Sequence, residues 1–348
     1  MRLLVLNCGS TNLKWALWDG SRFLKRERVY FRDERDLRTK LGYIKESAGP
    51  LKGVIHRVVH GKDLFEPTLI DRSVKEKIKE AVCFSPLHNR LALAGIEVFE
   101  DLEIPQVAVF DTYFFRDLPK ASVLYPLPYE LFEAGVRRYG FHGISYSFVL
   151  DRLKELLGDP YPTAILLHIG GGASVCAVKN GKPVDTSMGL TPLEGLMMST
   201  RCGDIDPGVI LYLLKKGVSP EELEDLLWRR SGFAGLCGSG DIKEVLGRDD
   251  PKAREALEVF VRRVKKYIGG YIALIGRPQA VVFTGGAGEG SPPLRNMILR
   301  GLSHLGIEID EERNSRNDTL ISGGEVKVFV IKTDEELQMV RLSLGFFT

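Results

Sequence analysis

Between His168 and Gly181 the chain reads HIGGGASVCAVKNG, three consecutive glycines set between an apolar run and an alternating one. Glycine has no Cβ to hold a ligand away, so Gly170, Gly171 and Gly172 suit close approach of backbone N–H groups to an anion and unusual dihedrals. Gly9 to Gly20, GSTNLKWALWDG, follows the same plan with a Gly/Ser/Thr turn, a strand and a DG in place of the NG. In both stretches eleven positions separate the first glycine from the last. There the hydroxyls of Ser10 and Thr11 and the ammonium of Lys14 would add donors and charge to a phosphate cradle. A third glycine segment, FTGGAGEG from Phe283 to Gly290, follows a strand pattern and precedes a helical one. Its Gly285, Gly286, Ala287 and Gly288 suit the nucleoside end of a nucleotide. The pattern GxxxxGK[ST] is absent, so a nucleotide would be held between facing hairpins and not on one helix N-terminus.

The elements that must carry these turns alternate between strand and helix. LLVLN, KWALWD and FLKRERVYF read as consecutive strands, SVKEKIKEAV and LALAGIEVFEDL as amphipathic helices, and QVAVFD as a further strand. Helical patterning covers Pro220 to Arg229 and Asp250 to Ile275; AVVFTGG reads as a strand and TDEELQMVRLSL as a closing helix. This is α/β patterning. The internal echo fits two related half-structures, and spacing alone equally fits two unrelated hairpins that share turn chemistry.

Composition bounds the function. At 348 residues, 44% hydrophobic and 27% charged, the chain is long enough for two domains with separate cores. Forty-eight basic and 46 acidic residues are interspersed, with no basic stripe for nucleic acid or an anionic membrane surface. The five cysteines are scattered without a CxxC, which supports neither a disulfide framework nor a zinc site and fits a reducing cytoplasm. His56 and His60 flank two valines that read as strand, where four residues span about 13 Å, too far for one ion. No apolar run reaches the ~18 residues of a membrane span. The opening MRLLVLNCGS is too short in its apolar part for a signal peptide, so the mature chain is expected to begin at Met1.

The blocks VLNCGSTNLK, HRVVHG, SPLHN, VAVFDT, RRYGFHG, VDTSMGLTPLEGLMMSTRCGDIDPG, FTGGAGE and TDEEL occur in this order along nearly the whole chain. Together they resemble the acetate kinase family. The resemblance implies an α/β fold of two duplicated ribonuclease H-like domains, as in the superfamily of acetate and sugar kinases, heat-shock ATPases and actin. Expected are an N-terminal domain over residues 1–115, to which a closing helix at about 338–348 returns, and a nucleotide-binding and dimerisation domain over 116–337. The implied reaction is reversible transfer of the ATP γ-phosphoryl to a short-chain carboxylate, giving an acyl phosphate and ADP, with Mg²⁺ (or Mn²⁺), in a homodimer.

Such an acceptor is already ionised at neutral pH, so the transfer needs cations and no general base. By resemblance Arg57 and Arg201 serve the acceptor carboxylate and the equatorial phosphoryl oxygens, and His142 donates to the transferring group. His168 and His88 fall at other family positions near the site, where His168 would meet the nucleotide. Asp111 would orient an arginine or act through Mg²⁺. Asn7 and Glu335 match positions assigned to Mg²⁺ and its phosphates, and Asp241, Ile242 and Lys243 a stretch that contacts adenosine. Val59, Leu87, Phe141 and Pro192 would form the apolar pocket for the acceptor's methyl end.

Asn12, Gly171, Cys202 and Gly290 depart from the family pattern, and the chain is shorter than usual members between the first hairpin and Arg57. Gly171, completing the glycine triplet, resembles butyrate kinases instead. The alternatives are therefore a propionate or butyrate kinase-like enzyme and, from another class, an actin-like or chaperone-like ATPase without a small-molecule acceptor. Paired arginines suited to a carboxylate disfavour the latter.

Overall fold

The computed structural model describes residues 1–9 and 11–347; Ser10, expected in the first cradle, and Thr348 lie outside the described residues. The chain divides into two compact units, one of Met1–Arg116, Phe141–Phe148 and Asp334–Thr348, the other of Asp117–Gly140 and Val149–Thr333.

The sheet of the first unit contains β1 (Leu3–Cys8), β2 (Asn12–Trp18), β3 (Phe23–Tyr30), β4 (Gly53–Val58), β5 (Thr68–Leu69) and β6 (Gln106–Phe110), in the order β3-β2-β1-β4-β6-β5. β1, β2 and β3 pair antiparallel, whereas β1, β4 and β6 run parallel. Every residue of β1 is buried because both faces of the sheet are covered. Leu4, Leu6 and Trp15 pack with Leu37, Leu41 and Leu91 from the helices Glu34–Ser47 and Pro86–Val98. On the opposite face Leu3, Val5, Ile55 and Val107 meet Ile144, Met339 and Val340 from the helices Gly143–Leu157 and Glu335–Ser343.

The second unit repeats this plan. Its strands β7 (Ala164–Ile169), β8 (Ala173–Lys179), β9 (Lys182–Thr186), β10 (Ala280–Thr284) and β11 (Lys327–Val330) lie in the order β11-β10-β7-β8-β9. Read from its other edge, β9-β8-β7-β10-β11 reproduces β3-β2-β1-β4-β6, again with three antiparallel strands followed by parallel neighbours. The internal echo is thus a repeated topology. Asp250 caps the long helix Pro251–Ile275 by accepting from Ala253 N–H, and its buried Ala253, Ala256, Leu257, Phe260, Val264, Ile268 and Tyr271 follow the helical period.

Several local expectations change. Asn180-Gly181 is a two-residue hairpin turn with both residues at positive φ, but Asp19-Gly20 opens a four-residue loop in which the Asp19 carboxylate accepts from Ser21 and Arg22 N–H. None of Gly170, Gly171 and Gly172 has positive φ, so their value lies in the missing Cβ and not in unusual dihedrals. Gly285–Gly290 is itself a helical turn, because the Glu289 side chain folds back to accept from Thr284 Oγ1 and Gly285 N–H. β4 ends at Val58, so the strand spacing assumed for His56 and His60 covers only the first of them.

His56 is enclosed in the sheet, its Nε2 donating to Gln106 Oε1 at 2.7 Å, and burial pushes its pKa down to about 4. In the unfolded chain a histidine takes its proton below about pH 6.5. Between these values unfolding binds a proton, so stability rises with pH there and the contribution is fully present above about pH 6.5. Stability should fall by about 1.4 kcal/mol per pH unit from this residue as pH drops from 6.5 towards 4. Urea unfolding of His56→Gln across that range should lack this slope; an unchanged slope would show that His56 is not its source.

Candidate active site

In the first unit three chemically active side chains meet at the C-terminal ends of the parallel strands. Asn7 sits near the end of β1, Arg57 near the end of β4, and Asp111 directly after β6. Arg57 Nε donates to Asp111 Oδ1 at 2.9 Å and Nη2 to Oδ2 at 2.6 Å, a bidentate pair. Arg57 Nη1 donates to Asn7 Oδ1 at 3.0 Å, which fixes the orientation of the carboxamide because a guanidinium only donates. Asn7 Nδ2 then faces two acceptors, Glu335 Oε2 at 2.9 Å and Glu336 Oε1 at 2.7 Å, both in the first turn of the closing helix. Lys14, in β2, brings Nζ to 4.0 Å from Glu335 Oε2.

Burial governs the electrostatics. Asp111 is 1% exposed, and desolvation raises its carboxyl above the ordinary range, with Arg57 opposing and Glu335 adding to the rise. For Arg57 burial works against the charge, but Asp111, Glu335 and Glu336 outweigh it and hold the guanidinium above its usual value. Burial likewise pushes the Cys8 thiol up to about 12, so it is no nucleophile at neutral pH.

His142 and Gly143 follow in space. Gly143 N–H donates to the Asp111 carbonyl at 2.7 Å, and a Cβ at 143 would lie 2.3 Å from that oxygen. His142 itself has φ +62°, the left-handed region that side chains rarely adopt and that concentrates at functional sites. Val59 and Phe141 are buried, and the Phe141 ring lies 5.6 Å from that of His60. His60 is bracketed by Asn89, which accepts from its N–H and donates to its carbonyl. Leu87, in the helix that also holds the half-buried His88, is 40% exposed.

In the second unit the glycine segments converge. The triplet turn closes through Gly170 N–H to Gly172 O at 2.9 Å, which commits one expected cradle amide to the turn itself. A Cβ on Gly170 would point at Gly286 N, 3.8 Å away, and at His168 Nε2, 3.9 Å away. Ser199 N–H donates to Gly171 O at 3.1 Å, joining the triplet to the segment that carries Arg201, and Gly240 lies against Ser199. Gly171 and Gly286 are exposed, while Gly285, Ala287 and Gly288 are buried. A Cβ on Gly171 would meet only Ser199 Oγ at 3.7 Å, an ordinary contact, so packing does not demand glycine there. Asp241 caps a short helix by accepting from Lys243 N–H; Ile242 is buried, whereas Asp241 and Lys243 are exposed.

Arg201 belongs to a loop locked from behind by a half-buried ion pair. Arg138 Nη2 donates to Glu194 Oε1 at 2.6 Å, its Nη1 to the carbonyls of Thr186 and Met188, and Tyr125 Oη to Glu194 Oε2 at 2.5 Å. A Cβ on Gly189 would overlap Glu194 and Tyr125. Pro192 is buried and its carbonyl accepts from Arg201 Nη1 at 3.3 Å.

Sequence reasoning missed Glu336, Asn89 and this Arg138–Glu194–Tyr125 lock. Glu336 adjoins Glu335 and could have been found as the second acid of TDEEL; Asn89, Arg138 and Glu194 lie inside quoted blocks without a pattern that assigns them. Tyr125 carries no local signal at all.

A model of the acetokinase family matches residues 36–341. The chain is 49% identical over 305 residues to the acetate kinase of Sulfurimonas denitrificans, covering 85% of this chain and 78% of that protein. It is 40% identical over 390 aligned positions to the acetate kinase of Finegoldia magna, with 99% of both covered. Among solved structures, a propionate kinase from Francisella tularensis superposes with TM-score 0.90 at 35% identity, 98% of each chain being covered. The Porphyromonas gingivalis acetate kinase gives 0.86 at 33% identity over 100% of each. The fold is accordingly that of two duplicated ribonuclease H-like domains. By sequence and by fold, the chain belongs to the acetokinase family.

Proposed function

We propose that this chain is an acetate kinase, transferring the γ-phosphoryl of ATP to acetate and, in reverse, from acetyl phosphate to ADP by direct in-line transfer. The observation that carries this reading is the state of Asp111. Both of its oxygens are taken by Arg57, so it is poorly placed to act as the base a hydroxyl acceptor would need. A carboxylate acceptor needs no base; it needs its charge met. Arg57 gives three of its five N–H groups to Asp111 and Asn7, which leaves two for an oxyanion. Arg201 supplies the second cation and His142 a donor to the transferring group. The glycines at 170–172 and 285–288, with Ser10, Thr11, Lys14, His168 and the 241–243 stretch, receive the nucleotide.

Among the described residues no group of three or more His, Cys, Asp or Glu could hold a metal unaided. Glu335 and Glu336, gathered by one amide nitrogen, fit Mg²⁺, which takes one or two carboxylates together with phosphate oxygens and water. Bound there (as Mg²⁺ or Mn²⁺), it would neutralise and orient the phosphates, and Asn7 would hold its carboxylates in place. Val59, Leu87, Phe141 and Pro192 receive the methyl end. Propionate, the acid in the name of one structural neighbour, would be the slower alternative substrate.

The second unit serves nucleotide binding and dimerisation. The helix Pro207–Lys215 buries none of its residues, and Val209, Leu211, Tyr212 and Leu214 are exposed by 39–59%, an apolar surface suited to a second copy. Among the described residues no helix is long and apolar enough to cross a membrane, and a reducing cytoplasm suits the cysteines.

Hydroxylamine trapping with ATP and Mg²⁺ should detect acyl phosphate from acetate, with propionate roughly 10- to 200-fold poorer, the worth of one methylene. No product from any acid between formate and butyrate would sink the reading. Arg57→Ala and Arg201→Ala should each lose on the order of 10² to 10⁵ in turnover while melting cooperatively. A folded variant within about tenfold of the parent would remove that arginine from the mechanism. Val59→Ala should raise kcat/KM for propionate relative to acetate without moving the KM for ATP; an unaltered ratio places Val59 in ordinary core. Leu211→Asp should yield monomers in sedimentation equilibrium, and an unchanged mass would move the dimer surface elsewhere.

A further inference from the structure

The two arginines are held in different ways. Arg57 is fixed by a carboxylate that takes its N–H groups, whereas Arg201 lies over an aromatic face. Its Cζ is 5.2 Å from the ring centroid of Trp228, within the range of a cation–π contact. That juxtaposition is built by the backbone. Cys202 N–H donates to Leu227 O at 3.1 Å, Ser231 N–H to Thr200 O at 3.0 Å and Phe233 N–H to Met198 O at 2.9 Å. Thr200 Oγ1 donates to Trp228 O at 2.8 Å. Residues 198–202 are thereby tied to the C-terminal end of the helix Pro220–Arg229, whose start is set by a capping box on Ser219 and Glu222. Arg201 Nη1 also donates to the Pro192 carbonyl at 3.3 Å and lies 3.8 Å from Met198 Sδ.

We propose that Trp228 is a positioning residue for the transfer reaction, its indole face setting the plane of the Arg201 guanidinium so that the N–H edge is presented to the oxyanion. A ring face suits this task because it meets the guanidinium on its plane and takes no N–H from its edge, unlike a carboxylate. Indole is the best of the aromatic platforms, and guanidinium, weakly hydrated and planar, is the cation that stacks best. This rests on the reading of Arg201 as a catalytic residue.

The test is a cycle of Trp228→Leu, Trp228→Phe and Arg201→Lys, read in steady-state kinetics with Mg²⁺ and ATP. Trp228→Leu should lower kcat/KM for acetate about three- to thirtyfold, the range of a cation–π contact, and leave the KM for ATP within about twofold. Trp228→Phe, which keeps a ring, should recover most of the loss. In the Arg201→Lys background Trp228→Leu should cost little more, because an ammonium has no planar edge for the ring to orient. Equal cost in both backgrounds, or equal damage to acetate and ATP, would overturn the proposal in favour of a structural role. If Arg201→Lys keeps parental turnover, the role of Arg201 itself falls; if Arg201→Lys is damaged while Trp228→Leu is silent, the platform alone falls. Fluorescence covers a poorly folding Leu variant, because the other two tryptophans, Trp15 and Trp18, are buried in β2. Acetyl phosphate should change the emission that distinguishes the parent from Trp228→Phe, and Arg201→Lys should abolish that change. Absence of the signal in the parent would overturn the proposal.

Discussion

A charged arginine brought out of water must be compensated, and the first unit is arranged around that requirement at Arg57. Uncompensated, such a charge costs several kcal/mol. Asp111 meets it from the end of β6, Asn7 from β1, and the two glutamates of the closing helix act through Asn7. All these groups can meet because β1, β4 and β6 run parallel and end on the same side, the geometry in which open α/β sheets collect polar chemistry. The order of the strands and the position of the last helix are thus read directly in the charge balance at one guanidinium.

The second unit uses the same sheet plan for a different purpose. After β7 the sequence has three glycines where after β1 it has Gly9, Ser10 and Thr11, and backbone meets backbone across Gly170, Gly286, Ser199 and Gly240. Stiffness there comes from peptide hydrogen bonds, from the Arg138–Glu194 pair behind the loop and from Asp204, which accepts from Gly195 N–H and Tyr267 Oη. One duplicated architecture therefore carries an arginine-centred constellation in one copy and a convergence of glycine turns in the other.

Much of this was legible in the sequence. Alternation and turn residues located the strands, and Pro220–Arg229 and the helix after Asp250 announced themselves through caps and period. The eleven-residue echo pointed to duplication, although it could not tell a topological repeat from two similar hairpins. The helix Glu34–Ser47 escaped notice despite Leu37, Leu41 and Ile44 at helical spacing, because Gly42 interrupts the run of helix formers between them. At the site, Arg57, Asp111, Asn7 and Glu335 came from motif blocks. Their mutual bonds could not be read, since Asn7 and Glu335 are 328 positions apart and only the fold brings them together. Glycine segments misled where side chains decide: Gly285–Gly290 looked like a loop, and Glu289 makes it helical.

The left-handed backbone at His142 has a consequence for how the site tolerates change over evolutionary time. A residue held at φ +62°, with a glycine next to it packed on the Asp111 carbonyl, answers to two selective filters, one for its imidazole and one for its backbone. Asparagine and glycine pass the second filter easily, whereas β-branched residues carry a steric penalty before any chemistry is considered. Drift at this position is therefore channelled through a narrow set of neighbours. Alanine is a poor reference state there, because it confounds the missing ring with a strained main chain.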